Sequence, residues 1–182
     1  MAPELYLGTL AAPAPEPQVT SVSLSSREVA LGEPFSIRVT ATNRGEQADL
    51  QLVSVAFPNA TSTRVANVTG YTFKQSPVFI EPGGDKNIGA GYIGPQKQVK
   101  PQYPAIEGQS RPWGPGESAS MELQVTPERE GRFVVFVKAV GLPHSGDRSH
   151  WPQEGPLDQQ EEYVSVYEVR VITAAAANAT KA

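Results

Sequence analysis

The segment from Phe35 to Thr42 alternates strictly between apolar and polar side chains. Successive side chains of a β-strand point to opposite faces, so this period of two predicts a strand with one buried face. The apolar members of the alternation are Phe35, Ile37, Val39 and Ala41. A strand of this kind needs a second layer to cover its apolar face, which favours two sheets packed against each other.

Similar strand patterns recur along the chain. They predict strands over residues 19–24, 49–57, 119–125 and 163–172. The run Phe133–Val140 is almost continuously apolar, as expected of a central strand that is covered on both faces. The chain has 16 glycines and 17 prolines, well above their average combined share of about 12%. Turn-rich all-β structure is therefore favoured over helical structure.

The middle of the chain has a weaker pattern. Short strands are predicted over residues 63–68, 71–73, 78–80 and 86–93. Residues 94–116 and 141–160 are rich in proline and glycine and are predicted to form two long ordered loops, which in compact domains usually serve interactions.

The length of 182 residues suits one domain with additional segments. We expect an N-terminal arm and linker over residues 1–18, a β-sandwich over 19–173 and a flexible tail over 174–182. The linker is the Pro/Ala stretch from Ala11 to Pro17. Ahead of it lie four apolar residues, namely Leu5, Tyr6, Leu7 and Leu10. They form either a frayed terminus or an arm that adds a strand to a neighbouring subunit.

Three of the five asparagines begin an N-x-S/T triplet: Asn59, Asn67 and Asn178. Such triplets are acceptors for N-linked glycans and predict an extracellular location. The chain contains no cysteine, although small secreted animal domains usually carry disulfides. These two features together favour a microbial cell surface, and an archaeal one in particular. Residues 1–18 lack the basic segment of a signal peptide, so we expect either a removed leader or another export route.

Net charge and hydropathy indicate which classes of partner to expect. The formal net charge is −4 without long runs of one sign, so no nucleic-acid footprint is visible. No stretch approaches the roughly 18 apolar residues of a membrane span.

Two groups of residues could bind a metal, but each also has an interpretation without one. His144, Asp147 and His150 carry groups that suit zinc or copper, but they lie in a Gly/Ser-rich stretch that favours a polar surface loop. The carboxylates of Asp158, Glu161 and Glu162 suit calcium, or form a solvated strand edge. We predict no metal and no cofactor.

Enzymatic motifs are not recognisable in the sequence. There is no G-x-S-x-G nucleophile motif, and Gly83–Asn87 is better explained as a β-turn than as a phosphate loop. Trp113 and Trp151 lie in the two predicted loops and are candidate carbohydrate contacts, although anchoring of the loops to the sandwich is the preferred interpretation. The sequence thus predicts a protein that is not an enzyme.

The order of turns resembles that of CARDB-type immunoglobulin-like modules of bacterial and archaeal surfaces. The resemblance consists of Gly32-Glu33-Pro34 before the alternating strand, Asn43-x-Gly45 after it, Pro115-Gly116-Glu117-Ser118, and Gly131-Arg132-Phe133. It covers residues 19–57, 114–140 and a last strand at 163–172, and it leaves 58–113 unexplained. It implies an all-β, immunoglobulin-like β-sandwich with long inserted loops.

The detached apolar arm is similar in arrangement to the arms of surface fibres built by donor-strand exchange. The function expected from both resemblances is a non-enzymatic extracellular structural or adhesion module, in particular a self-assembling filament or sheath subunit. Its expected partners are copies of itself or other surface proteins, together with N-linked glycans. A virus capsid or decoration protein and a carbohydrate-binding module are the alternatives.

Overall fold

The computed structural model describes residues 14–84, 86–88 and 97–179. Within them the chain forms thirteen strands, two single-turn 3-10 helices and one short α-helix. The first seven strands are β1 (Pro17–Leu24), β2 (Glu28–Ala30), β3 (Phe35–Asn43), β4 (Leu50–Ala56), β5 (Ala66–Tyr71), β6 (Val78–Ile80) and β7 (Lys86–Ile88). The others are β8 (Lys97–Val99), β9 (Ala105–Ser110), β10 (Ser118–Val125), β11 (Gly131–Leu142), β12 (His150–Trp151) and β13 (Ser165–Ile172).

The strands form two packed sheets and a separate β7–β8 pair. One sheet has four strands in the order β1-β3-β10-β5, and the other has the order β2-β13-β11-β4-β9-β6, with β12 pairing alongside β11. Immunoglobulin domains have one sheet ordered A-B-E-D and another ordered C-F-G. The strands β1-β3-β10-β5 reproduce the first order and β4-β11-β13 the second. The all-β, immunoglobulin-like β-sandwich predicted from the sequence is thus confirmed.

The core lies between the sheets and is built by the alternating residues. Phe35, Ile37, Val39 and Ala41 of β3 are all at most 2% exposed, as their period predicts. They face the inner side of β11, where the ring of Phe133 contacts Phe35 edge-on at a centroid distance of 5.9 Å. Burial of aromatic and branched side chains from both sheets is the main stabilising contribution to this fold.

The prediction of a long loop over residues 94–116 is wrong, because this stretch contains β9, an interior strand between β4 and β6. The strand is not recognisable from its sequence (AIEGQS), because Ile106 is its only large apolar residue. Gly108 takes the place of a second inward-facing side chain, because a Cβ at this position would overlap the ring of Phe73. The extra strand enlarges the sheet beyond the usual C-F-G set.

Three further stretches differ from the predicted strands, and in 71–73 only Tyr71 lies in a strand, as the last residue of β5. The first three residues of 63–68 form a 3-10 turn, Thr63–Val65, in which Ser62 Oγ accepts a hydrogen bond from the Arg64 amide. Ser, Thr and Asn side chains commonly begin helical turns in this way. In the predicted strand 86–93, β7 covers only Lys86–Ile88, and residues 89–93 lie outside the described part of the chain.

The domain boundaries also differ from the predicted ones. β1 begins at Pro17, and the residues before it already bind the sandwich, since Glu46 N donates to Ala14 O and Arg44 N to Glu16 O. The last residues of the Pro/Ala stretch therefore belong to the domain and are not a linker. The predicted arm residues Leu5, Tyr6, Leu7 and Leu10 lie outside the described residues.

The expected flexible tail contains the α-helix α1 (Ala174–Ala179). Thr173 Oγ1 accepts a hydrogen bond from the Ala176 amide, and this cap together with the high helix propensity of alanine accounts for the helix. Across the described ranges, no helix has both the length and the apolar character that crossing a bilayer requires.

Gln51 is a polar residue buried within the apolar core. It lies on β4 in register with Gly141 and Ser110, is fully buried, and neither its Nε2 nor its Oε1 has a hydrogen-bond partner in the structure. An unsatisfied buried polar group costs about 1–3 kcal/mol. We therefore expect Gln51→Met, which preserves side-chain volume, to raise the free energy of unfolding by about that amount in denaturant titrations.

The matched control is Gln124→Met, because Gln124 is exposed on β10. This change should leave the free energy of unfolding nearly unchanged. A loss of stability in Gln51→Met would contradict the prediction and indicate that an internal water satisfies the amide.

Candidate functional site

A row of polar side chains crosses the outer face of the larger sheet. Lys138 of β11 pairs with Ser54 of β4, and Ser54 pairs with Glu107 of β9. Their neighbours Val137, Val55 and Ile106 point into the core and are fully buried, so the polar residues point away from it. Ser54 and Glu107 are nevertheless only 6% and 5% exposed, which means that another part of the chain covers this face.

The covering segment comes from the connection between β11 and β13. Lys138 Nζ lies 2.6 Å from Asp158 Oδ2, 2.8 Å from Glu162 Oε2 and 3.2 Å from Gln160 Oε1. The side chains of Lys138 and Asp158 are 14% and 4% exposed, and that of Glu162 is 31% exposed. We call Lys138, Asp158, Gln160 and Glu162 the lysine cluster.

The backbone around Asp158 explains why two carboxylates reach one amine. Asp158 Oδ1 accepts hydrogen bonds from the amides of Gln160 (2.8 Å) and Glu162 (3.1 Å), which is how aspartate side chains organise tight turns. The turn closes with Asp158 N donating to Glu162 O over 2.8 Å. It requires a left-handed conformation at Glu161, whose φ is +61°. The turn leaves Asp158 Oδ2 and the Glu162 carboxylate facing Lys138.

The charges of the cluster compensate for its burial. Burial alone favours the neutral amine, but the charges and hydrogen bonds of Glu162 and Asp158 outweigh it and raise the pKa of Lys138 above its ordinary value. Burial also raises the pKa of the neighbouring Tyr103. The ring of Tyr103 packs edge-on against Phe136 at 5.8 Å, so the cluster has an apolar wall.

The cavity beside the cluster is small. It has a volume of about 30 Å³ and is lined by Lys138, Asp158 and Gln160 of the cluster together with Ser54, Tyr103, Glu107 and Phe136, among others. A water molecule needs about 10–15 Å³ by this measure, whereas ligand pockets occupy roughly 300–1,000 Å³. The cavity has room for one or two water molecules but not for an organic substrate.

The three residues weighed in the sequence as candidate metal ligands have different surroundings. His144 and Asp147 are exposed, and His150 Nε2 lies 2.9 Å from the carbonyl oxygen of Tyr163. No group of three His, Asp or Glu residues in the described ranges is arranged to hold a metal. Of the three carboxylates named as calcium ligands or a solvated edge, Asp158 and Glu162 instead bind the lysine, whereas Glu161 is exposed.

The two tryptophans differ in position. Trp113 is 1% exposed, packs edge-on against Phe73 at 5.6 Å, and its Nε1 donates to Glu117 O. It has no free face for a sugar, which rules out the candidate carbohydrate contact and agrees with the preferred interpretation that this residue anchors its loop. Trp151 is half-buried, pairs with Ala139 through β12 and packs on the core.

The three sequon asparagines are all exposed. Asn67 lies on β5, an outermost strand of the smaller sheet, and Asn178 lies on α1. Asn59 Oδ1 accepts a hydrogen bond of 2.7 Å from the Val134 amide. Because a glycan attaches to the side-chain nitrogen, this hydrogen bond is compatible with modification.

Sequence reasoning missed the lysine cluster. The signal was Lys138 itself, a cation within the apolar run FVVFVKAV. Buried charges are almost always paired, so this lysine required carboxylates from elsewhere in the chain.

Comparison with known proteins gives matches at the level of folds only. No protein-family model and no curated protein sequence matches the chain. Among solved structures, it is similar to the CARDB domain of a Pyrococcus furiosus protein, with 14% identity, 86% of this chain and 90% of that chain covered, and a TM-score of 0.37. A solved CARDB domain is thus among its structural neighbours, as the turn motifs suggested.

Enzymes also appear among the neighbours. A β-glucosidase from Listeria innocua has 15% identity and a TM-score of 0.39, with 88% of this chain but 16% of the enzyme covered. The alkylpurine DNA glycosylase AlkC from Pseudomonas fluorescens has 13% identity and a TM-score of 0.40, with 86% of this chain and 30% of the enzyme covered. The chain therefore spans only a small part of either enzyme.

The lysine cluster should be important for stability. Lys138→Met leaves the Asp158 carboxylate buried without its partner, and breaking a buried ion pair in this way costs about 3–5 kcal/mol. We expect a decrease of that size in the free energy of unfolding, measured by denaturant titration.

The control is Arg132→Met, which removes the ion pair with Glu168 on neighbouring strands. The side chains of that pair are 67% and 48% exposed, so the expected cost is at most about 1 kcal/mol. Equal small effects of the two changes would show that the cluster is screened by solvent.

Proposed function

We propose that this protein is a non-enzymatic extracellular structural module that assembles by adding an N-terminal arm to a neighbour's sheet. The observation that carries the proposal is the apolar outermost strand β6. Val78 is 38% and Phe79 is 49% exposed. β6 pairs with β9 on one side, and no strand in the described part of the chain pairs with its other side. Unpaired apolar edges of this kind accept added strands.

The point where the arm joins the sandwich and the accepting edge lie on different sides. Residues 14–16 lead into β1, the outermost strand at one side of the smaller sheet. β5 is outermost at its other side, and a short connection of residues 72–77 joins β5 to β6 in the larger sheet. When the two surfaces that meet in an interface are different, each end of a row of subunits still has one unpaired surface. Further subunits can add there, which permits open filaments.

The sequon on β5 fits this arrangement. Asn67 and Thr69 are exposed on β5, which is the outermost strand of the smaller sheet on the same side of the sandwich as β6. A glycan on Asn67 would cover the β5 edge, because a bulky polar group beside an edge blocks further pairing. The β6 edge would then be the one open to the arm, which gives assembly a single direction.

The arm proposal is tested by deleting residues 1–13 from the full chain. Residues 14–18 are kept because they bind the sandwich through Glu46 and Arg44. We expect the truncated protein to remain folded and to be monomeric by analytical ultracentrifugation, whereas the full chain forms polymers visible by electron microscopy. Polymers that persist in the truncated protein would contradict assembly by the arm.

The accepting edge is tested by Phe79→Lys, since a lysine on an edge strand opposes strand addition. We expect it to abolish polymers as the truncation does. Leu157→Lys is the control, because Leu157 is an equally exposed apolar residue (56%) outside the edge strands. Loss of assembly in both variants, or in neither, would contradict the assignment to β6.

The surface location is tested by intact-mass measurement of the native protein. We expect three additional glycan masses, each removed by one substitution: Thr61→Ala, Asn67→Gln or Asn178→Gln. Thr61 is changed in place of Asn59 because the Asn59 side chain binds the Val134 amide. An unmodified mass in protein from the native source would remove the main support for an extracellular location.

A further inference from the structure

We propose that Lys138 and Asp158 become joined by an intramolecular amide bond, with Glu162 transferring the protons. The inference goes beyond assembly and holds whether or not the chain polymerises. Lys138 Nζ lies 2.6 Å from Asp158 Oδ2, and the two side chains are 14% and 4% exposed. A fixed amine and carboxyl group at contact distance, shielded from water, is the arrangement in which a slow condensation becomes intramolecular.

The carboxyl group of Asp158 is held in place by the backbone of its own turn. Its Oδ1 accepts hydrogen bonds from two backbone amides, at 2.8 and 3.1 Å. When the amine attacks Cγ, negative charge develops on this oxygen, and two fixed N–H donors stabilise such charge in the manner of an oxyanion hole. The other oxygen, Oδ2, lies 2.6 Å from the amine and is the one that leaves.

Glu162 is placed to move the protons. Its Oε2 lies 2.8 Å from Lys138 Nζ, so it can accept a proton from the ammonium group and pass it to Asp158 Oδ2. The bond from Nζ to Cγ forms and the bond from Cγ to Oδ2 breaks. Two protons leave Nζ in total, Oδ2 departs as water, and Glu162 is regenerated. The ammonium and carboxylate charges cancel, so no oxidant or other reactant is needed.

The reactants are a largely buried charged pair, whereas the product is neutral. Transfer of a charged pair out of water is costly, and the cluster is walled by the Tyr103 and Phe136 rings. An amide in place of the pair removes both charges. The adjacent cavity of about 30 Å³ has room for the released water. The bond would fasten residues 143–164 to the central strand β11 by a loop of twenty residues.

The proposal is tested by the mass of the full chain under denaturing conditions. For the full chain produced without glycans, or after their enzymatic removal, we expect the wild-type mass to be lower than the sequence mass by one water molecule. Protease digestion should give a branched fragment that contains Lys138 and Asp158. A wild-type protein of full sequence mass, both fresh and after prolonged incubation, would overturn the proposal without reference to any variant.

Two variants identify the chemistry. Lys138→Arg keeps the positive charge but lacks the amine. The mass of this variant should therefore equal the mass calculated from its sequence, with no loss of water. Glu162→Gln keeps the side-chain shape but accepts no proton, and should form the bond at least tenfold more slowly. A water loss that persists in Lys138→Arg would assign it to a cyclic imide at an aspartate and would overturn the proposal.

Lys74→Arg is the matched control, because Lys74 Nζ lies 3.3 Å from Glu117 Oε2 in an exposed pair. It should lose one water molecule, as the wild type does. A Lys74→Arg mass equal to the mass calculated from its sequence would contradict the assignment of the bond to Lys138.

Discussion

The burial of β11 on both faces is the constraint on which the rest of the structure depends. Its inner residues, such as Phe133 and Val135, pack against the smaller sheet. Its outer residues are half-buried beneath the segment that leads to β13. A cation at Lys138 on that outer face cannot keep a full hydration shell, so the covering segment has to supply its charge partners. Besides the pairing of β12 with β11, this side chain fixes the path of the chain between residues 143 and 164.

The strands predicted best are those whose two faces differ in polarity. β3 and β10 are each buried on one side only, so alternation alone defines them. β9 escaped prediction because its outer face carries Glu107, which is buried, and its inner face carries Gly108, which is covered by Phe73. Both residues are determined by neighbours distant in sequence. A local pattern contains no information about such neighbours, which is why the long-loop prediction for residues 94–116 was wrong.

The candidate site was less predictable than the fold for a related reason. Lys138 lies twenty residues from Asp158 and twenty-four from Glu162, with no motif that links them. Their meeting depends on a turn that includes a left-handed Glu161, a conformation that non-glycine residues seldom adopt. Trp113 is similar: its burial depends on the bridge with Ala48. A charged residue inside an apolar strand is the one local sign that a sequence gives of such a cluster.

The lysine cluster and the open edge belong to the same sheet. From β11, where Lys138 lies, β4 and β9 lead to β6, and the polar row of Lys138, Ser54 and Glu107 runs in that direction. A strand added to β6 would transmit any pull along the sheet through these strands to β11. Hydrogen bonds between strands share such a load, and the covering segment is held to β11 by the short β12 pairing and by the lysine cluster. A covalent bond at this position would fasten the covering segment to the strand on which the larger sheet is centred.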